Sequence, residues 1–348
     1  MTQKQLAGLT PVLAILVAFS VGGVLMFFIG ENPIEIYGKM LERTLGTPYG
    51  FGQVLYRTTP LVLTGLAVAI PFQAGLFNIG GEGQALVGTF ACALVGAAIP
   101  PALPSILSIA VCLLASAVAG GIWGALAGGL KVRFGVNEVI TTIMLNFIAS
   151  ALVGYLLTNH FAVTGTAHTA EIALSARLPR LDNFGGFFHR APVNVALFLS
   201  LLIACGAYFL VFKTKSGYEL RAVGLNVEAS RYAGIHVSLH VLGSMTLAGA
   251  LAGLTAANYV MGYKYYFEFG ATSGVGFLGI AVAMLAHANP AWIVLSAFLF
   301  GVLDYGGLTI NAYVPKEIFL IIQALVILLI IVAQKFNHRL ALSGVVKP

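Results

Sequence analysis

Long uncharged stretches and short charged interruptions alternate along the chain. Stretches without Asp, Glu, Lys or Arg run through 9–30, 58–81, 83–130, 139–170, 191–212, 232–263, 269–303 and 318–334. A helix that crosses a hydrocarbon core needs about 20 mainly apolar residues. Two stretches are too long for one such helix. Pro100, Pro101 and Pro104 divide the first, and His287-Ala288-Asn289-Pro290 divides the second. Proline ends helices and turns the preceding residue away from helical backbone. The pattern therefore predicts helices near 9–30, 57–76, 83–99, 104–130, 138–158, 192–212, 241–262, 272–288, 290–310 and 316–334. The first is too long, and lacks the small-residue cleavage site, for a removable signal peptide.

Composition turns long apolar helices into a membrane protein. Hydrophobic residues make up 59% of the 348 and charged residues 9%, where soluble chains carry about a quarter charged. This excludes a soluble globular enzyme, a disordered chain, a coiled coil and a disulfide-stapled domain. The expected fold class is all-α: a polytopic membrane helical bundle of about ten transmembrane helices, forming one domain over 1–348. Cys92, Cys112 and Cys205 lie in apolar runs and form no disulfide or metal pattern. No nucleic acid is expected, because the net charge of +6 is small and spread out. Membrane lipids are the expected surroundings.

The cations give a weak orientation. With both termini cytoplasmic, Lys4, Lys131, Arg133, Lys213, Lys215, Arg221, Arg231, Lys335, Arg339 and Lys347 fall inside. Lys39, Arg43, Arg57, Arg177, Arg180, Arg190, Lys264 and Lys316 fall outside. The positive-inside rule prefers this arrangement, in which 159–191 is an extracytoplasmic loop and 213–240 a cytoplasmic one.

Glycines carry two patterns. Gly120, Gly124 and Gly128 repeat at four residues, as do Gly249 and Gly253. Small residues at that spacing line one helix face and let helices approach closely in lipid. The second pattern is a pair of short Gly-rich segments, Gly75–Gln84 and Phe267–Gly276. Paired segments of this kind point to broken helices at a midplane pathway and leave an inverted internal repeat open.

Glu82 is the one acid deep in the uncharged first half. A charge there costs roughly 2.5–3.5 kcal/mol on insertion scales, so it faces a cavity or a partner. Asn78 and Gln84 flank it. One reading makes this a polar lining of a solute path. The other makes Asn78 a helix cap with Glu82 in the first turn. Asn137 and Glu138 open a later helix in the same cap-and-acid manner, and Asn146 lies within it. Asp304 faces a cavity or pairs with Lys316. His160, His168, His189, His236, His240 and His338 show no metal-ligand spacing. No Walker motif G-x-x-x-x-G-K-[ST] is present, so ATP, if used, binds elsewhere.

The 213–240 segment is the most informative. Asn226 suits a helix cap, Glu228 the first turn, Arg231 the last turn and Gly234 the stop. They define a helix at 227–233, too short to stand alone in water. It must dock on something.

Leu220-Arg221-Ala222-Val223-Gly224-Leu225-Asn226, followed by Ala229 and Arg231-Tyr232-Ala233-Gly234-Ile235, resembles the coupling loop of bacterial ABC importer permeases of the branched-chain/ribose type. The similarity is greatest to permeases for nucleosides and simple sugars. Gly75-Leu76-Phe77-Asn78-Ile79-Gly80 with Glu82-Gly83-Gln84, and Asn137-Glu138-Val139-Ile140-Thr141-Thr142-Ile143-Met144-Leu145-Asn146, are similar to that group's hallmarks. The opening, with Gly30-Glu31-Asn32-Pro33 and Tyr49-Gly50, looks like the longer of the two permeases in nucleoside importers. Asp304-Tyr305 departs from the small apolar residues usual there.

The resemblance implies a non-enzymatic permease of the bacterial inner membrane. Arg221, Gly224, Asn226, Glu228, Ala229, Arg231, Tyr232 and Gly234 would engage a cytoplasmic ABC ATPase, which would hold the ATP and magnesium. Asn78, Glu82, Gln84 and Asn146 would lie near the solute path. A second, related permease would complete the pore and an extracytoplasmic binding protein would deliver solute. The alternative is an ion-coupled secondary transporter, for which only Glu82 and Asp304 offer coupling groups.

Overall fold

The computed structural model describes residues 3–315 and 317–342. Lys316 and Lys347, two cations of the topology count, lie outside the described residues. The described chain is helical apart from turns, loops and three isolated bridges, Ala162–Thr169, His168–Glu268 and Arg180–Asn194. A helix occupies each of the ten stretches expected from the sequence. Six helices among the described residues are long and apolar enough to cross a membrane, or seven if one bent pair counts as a span.

Two compact units are present, Met1–Arg57 with Phe298–Pro348 and Thr58–Ala297. In the first, α1 (Gln3–Phe28) turns through 115° into α2 (Pro33–Leu45). The turn has a local cause. Gly30 adopts a positive φ, Asn32 Oδ1 accepts from Ile34 N at 3.1 Å, and Pro33 stands where a helix needs no N–H. α2 buries Ile36, Met40 and Thr44, spaced by four, and exposes its charges. The charged interruption at 31–43 hides this amphipathic helix from a search for apolar spans. α3 (Pro48–Gln73) begins in this unit, and α12 (Pro290–Thr309) ends in it. α13 (Glu317–Leu342) packs along α1, with Ile322 seated on Gly22.

In the second unit, α4 (Gly81–Ala98) is the buried centre. Around it pack α5 (Ser105–Phe134), α6 (Glu138–Leu156), α10 (Val237–Gly253) and α11 (Val275–Leu285). α7 (Ala196–Lys213) leads to α8 (Lys215–Leu225) and α9 (Val227–Tyr232). α11 has 11 residues, about 16 Å at the helical rise, and is too short to cross a 30 Å core alone. The break after it falls at the expected residues. His287 and Ala288 both take positive φ, and Gln73 Nε2 donates to the Ala288 carbonyl at 2.8 Å.

The two glycine motifs meet each other. A Cβ on Gly120 would stand 2.3 Å from Gly249 O, and one on Gly124 would stand 2.2 Å from Met245 O. Gly88 of α4 faces Gly253 of α10 in the same way, at 2.4 Å from its Cα. In lipid, where no hydrophobic drive presses helices together, this backbone-to-backbone contact maximises dispersion and packing.

The 159–191 loop is ordered over the bundle. Ile172 N donates to Tyr265 O at 2.7 Å and Leu178 N to Met261 O at 2.8 Å. Ile172, Ala176 and Leu178 are buried, and Phe267 stacks edge-on against Phe90 of α4.

These contacts make a sharp contrast within α5. Gly124→Val should cost about 3 kcal/mol, at the upper end of overpacking effects, because its neighbour is backbone that cannot yield. Gly129→Val, where nothing lies within 4 Å, should leave the thermal midpoint of the detergent-solubilised protein unchanged. Equal midpoints for the two variants would contradict the packing.

Candidate functional site

Two local constructions carry the candidate residues. The first fills the gap between α3 and α4. α3 ends at Gln73, and Gly75 takes a positive φ that turns the chain away. Ala74, Gly75 and Leu76 N–H still close the end of α3 on the Pro71 and Phe72 carbonyls, and the N–H groups from 77 to 80 then make no helical bonds. Buried polar backbone costs energy unless it is satisfied, and here side-chain amides satisfy it. Asn78 Nδ2 donates to Ala67 O at 3.1 Å and to Gln84 Oε1 at 3.0 Å. Gln84 Nε2 returns a bond to Asn78 Oδ1 at 3.2 Å, which also accepts from Gly80 N at 2.9 Å. Asn78 is fully buried and Gln84 nearly so.

α6 completes this network. Its Asn137 is an N-cap, as expected, with Oδ1 accepting from Val139 N at 2.9 Å. Glu138 behind it pairs with Lys131 of α5 at 2.8 Å. One turn and two turns further on, Thr142 and Asn146 face the loop. Thr142 Oγ1 accepts from Ile79 N at 3.3 Å, and Asn146 Nδ2 donates to Ile79 O at 2.9 Å. Asn146 Oδ1 also accepts from Gly83 N at 2.9 Å. Two side chains on one helix face thus hold both polar groups of Ile79, as a neighbouring strand would.

Glu82 is held differently. Its carboxylate oxygens accept from Gly274 N at 2.7 Å and Gly276 N at 2.8 Å. These are the first amides of α11, so Glu82 caps a helix in the other half of the chain. The two Gly-rich segments singled out in the sequence meet end to end here. A Cβ on Gly276 would stand 2.1 Å from Glu82 N, so only glycine permits the approach. Asn78 does not cap α4: the cap position is Gly80, with no side-chain bond. Asn78 instead closes a turn one step earlier.

The second construction is the α8–α9 hairpin. Asn226 Oδ1 accepts from Ala229 N at 3.0 Å and starts α9. α9 ends at Tyr232, one residue short of the expected 227–233, because Ala233 already leaves helical backbone. Gly234, at φ +80°, completes the stop. Its N–H donates to Arg231 O, and Ile235 N donates to Ser230 O. Glu228 and Arg231 pair along the exposed side at 2.8 Å. α8 does not stand out as a helix in the sequence, where only Leu220 and Val223 mark its buried face. Arg221 stays on α8, with its guanidinium 5.3 Å from the Phe212 ring centre.

Between the helices lies a groove of about 540 Å³ lined by Tyr218, Glu219, Ala222, Leu225, Ala229 and Ile235 among others. Leu225 is 89% exposed and Tyr232 94%. The back of α8 is closed by Gly224, where a Cβ would stand 2.1 Å from Gln73 O. The hairpin therefore rests directly on the turn that opens the Asn78 loop. Asp304 pairs with Arg57; Lys316, the partner expected from the sequence, lies outside the described residues.

A family model described as branched-chain amino acid transport system / permease component matches residues 50–331. The chain belongs to this family. It is 39% identical over 329 residues to the guanosine ABC transporter permease NupP of Bacillus subtilis, covering 92% of each chain. It is 36% identical to the glucose ABC transporter permease TsgB13 of Haloferax volcanii, covering 94% of this chain and 88% of that one. It is 33% identical to the nucleoside ABC transporter permease NupB of Lactococcus lactis, covering 95% and 93%. The protein is thus a multi-pass membrane permease component. In this permease, Asn78, Gln84 and Asn146 belong to one bonded network, and Glu82 joins the starts of α4 and α11.

The network and the cap should respond differently to mutation. Asn146→Leu strands Gly83 N–H and Ile79 C=O in the interior and should destabilise the permease by about 2–4 kcal/mol. Glu82→Ala should cost only about 1 kcal/mol, as for a lost helix cap whose amides water can reach, and free the first turn of α11 to exchange its amide hydrogens faster. Thermal midpoints and hydrogen exchange check both. Equal destabilisation by the two variants would contradict the assignment.

Proposed function

We propose that this permease moves nucleosides across the bacterial inner membrane as half of the pore of an ATP-driven importer. The observation that carries the reading is the α8–α9 hairpin. It is built by local caps, presents Leu225 and Tyr232 almost fully to solvent, and is backed against the Gln73–Gly75 turn through Gly224. A helix as short as α9 gains little stability of its own. Its exposed apolar tip suits a groove on a cytoplasmic ABC ATPase, which carries the ATP and magnesium. Arg221, Gly224, Asn226, Glu228, Ala229, Arg231, Tyr232 and Gly234 shape or support that surface.

The guanosine and nucleoside permeases among the relatives favour nucleosides as the solute. Simple sugars are the second reading, favoured by the glucose permease. Membership of a permease-component family favours the ATP-driven reading over an ion-coupled secondary transporter. A second, related permease and an extracytoplasmic binding protein complete the assembly. Both termini are cytoplasmic in this reading, on the ten-to-eight bias of cations.

Closure of the ATPase dimer would displace the hairpin. Gly224 presses on Gln73 O and Gly75, so the displacement would enter the 74–80 loop, which is stapled by Asn78, Gln84 and Asn146. The loop begins α4, and α4 carries Glu82 onto α11. The result is a two-state movement of broken helices rather than a rigid channel. Pathway roles for Asn78, Gln84 and Asn146 would then be exerted through the position of α4.

The test is reconstitution of the permease with its ATPase, second permease and binding protein in proteoliposomes. ATP-dependent nucleoside uptake is the expected result. Arg231→Glu, or deletion of 227–233, should cut ATPase association and uptake about tenfold or more, while membrane insertion is retained. Uptake that persists without any ATPase would overturn the proposal.

A further inference from the structure

We propose that the face formed by Tyr49, Gln53 and Arg57 of α3 with Asp304 and Tyr305 of α12 is a solute-contacting wall of the pathway, selecting a neutral, flat ring with a polar edge. This rests on the nucleoside reading above and adds to it the residues that meet the solute.

Tyr49, Gln53 and Arg57 recur every four residues and share one face of α3. Gln53 Nε2 donates to the Tyr49 hydroxyl at 2.8 Å. Arg57 forms an ion pair with Asp304, and its guanidinium lies 5.7 Å from the Tyr305 ring centre. Phe51 and Phe298 lock the two helices edge to face at 6.3 Å. All of these residues belong to one compact unit.

The position of this cluster limits what it can face. Arg57 is nine residues into a 26-residue candidate span, about 13 Å along the helix. Asp304 is five residues from the end of another. Yet the Arg57 and Asp304 side chains remain 27% and 32% exposed, and Tyr49 43%. A charged pair open to hydrocarbon is costly, so this face meets water or protein. Helix–helix interfaces in membranes favour small residues, as on α5 and α10. Here the residues are large, aromatic and polar, which suits a water-filled path.

The chemistry names the solute class. The ion pair is neutral overall, so the face exerts no net attraction on an ion. Tyrosine rings offer stacking surfaces, and the Gln53 amide, the Tyr49 hydroxyl and the charged pair offer both donors and acceptors. A nucleobase with its ribose matches both. A transport site must also release its cargo, so several modest contacts serve better than one strong one.

The experiment uses the complete reconstituted importer. Wild type must first import a nucleoside; failure there sinks the proposed function, not this inference. The double variant Gln53→Leu with Tyr305→Leu should then lower guanosine uptake about tenfold or more, the size expected for a lost stacked base. Assembly with the ATPase and the second permease should be retained. Tyr305→Phe should retain most uptake. A second measurement covers misfolding of the double variant. The Gln53→Cys variant, in a Cys205→Ser background, should react with a membrane-impermeant thiol reagent in the assembled complex, and excess guanosine should slow that reaction during turnover. Unchanged uptake in the double variant overturns the inference. So does loss of assembly with the second permease, which would make this face the subunit interface. Failure of any aqueous reagent to reach the thiol of the Gln53→Cys variant overturns it as well.

Discussion

The constraint that shapes this permease is that no backbone polar group can be left unsatisfied where water is excluded. Most of the chain meets it with helices. The stretch from 77 to 80 does not, and the structure substitutes side-chain groups for the missing helical bonds. Asn78 and Gln84 pair head to tail, and Asn146 binds both Ile79 and Gly83. Such a loop is stable only while every partner is present, because a half-satisfied buried network is worse than an apolar one. The interruption of α3 and α4 is therefore a specified feature, and it places the start of α4 within the bundle.

That start fixes the partner of Glu82. A helix that begins inside the bundle brings its amides, and their positive end, into low dielectric. α11 does the same from the other half of the chain. Glycines at 81 and 276 let the two starts abut, and one carboxylate answers the exposed amides of α11. The acid that looks expensive in the sequence is thus matched to a need created by a second break. Away from this point, helices hold together through bare backbone at Gly88, Gly120, Gly124, Gly249 and Gly253, which leaves the polar groups free to define the breaks.

What the sequence discloses follows from the range of each interaction. The caps at Asn137 and Asn226 and the stop at Gly234 act within four residues, so their spacing is readable. The helices within the ten apolar stretches are readable for the same reason. The Glu82 oxygens reach amides 192 residues away, and Asp304 finds Arg57 across 247. No spacing rule carries such pairings; the paired Gly-rich segments hint only that two breaks exist. Asn78 reads as a cap but is not one, because Gly80, with its αR backbone, starts α4 without a side-chain cap. α8 and α2 escape because both are short and rich in charge, and amphipathic helices of that kind do not register in a search for uncharged stretches. The glycine motifs show that close contacts are present, but not that α5 and α10 are each other's partners.

The cap also has a scale that suits a moving part. A hydrogen bond to a charged group contributes about 1.5–3 kcal/mol where water is excluded, but Glu82 is half-buried, so its two bonds compete with water and together contribute about 1 kcal/mol, the scale of a helix cap. Moving a two-state equilibrium from 1:99 to 99:1 takes about 5.5 kcal/mol. The Glu82 contact is therefore a small part of such a shift: it joins α4 to α11 without locking them, as the importer cycle proposed above would need. A buried amide network cannot serve this way, since breaking it strands several groups at once. The division follows from solvent access. Asn78 and Gln84 are sealed and fixed, while Glu82 is half-buried, so water can take over its bonds when the helices separate.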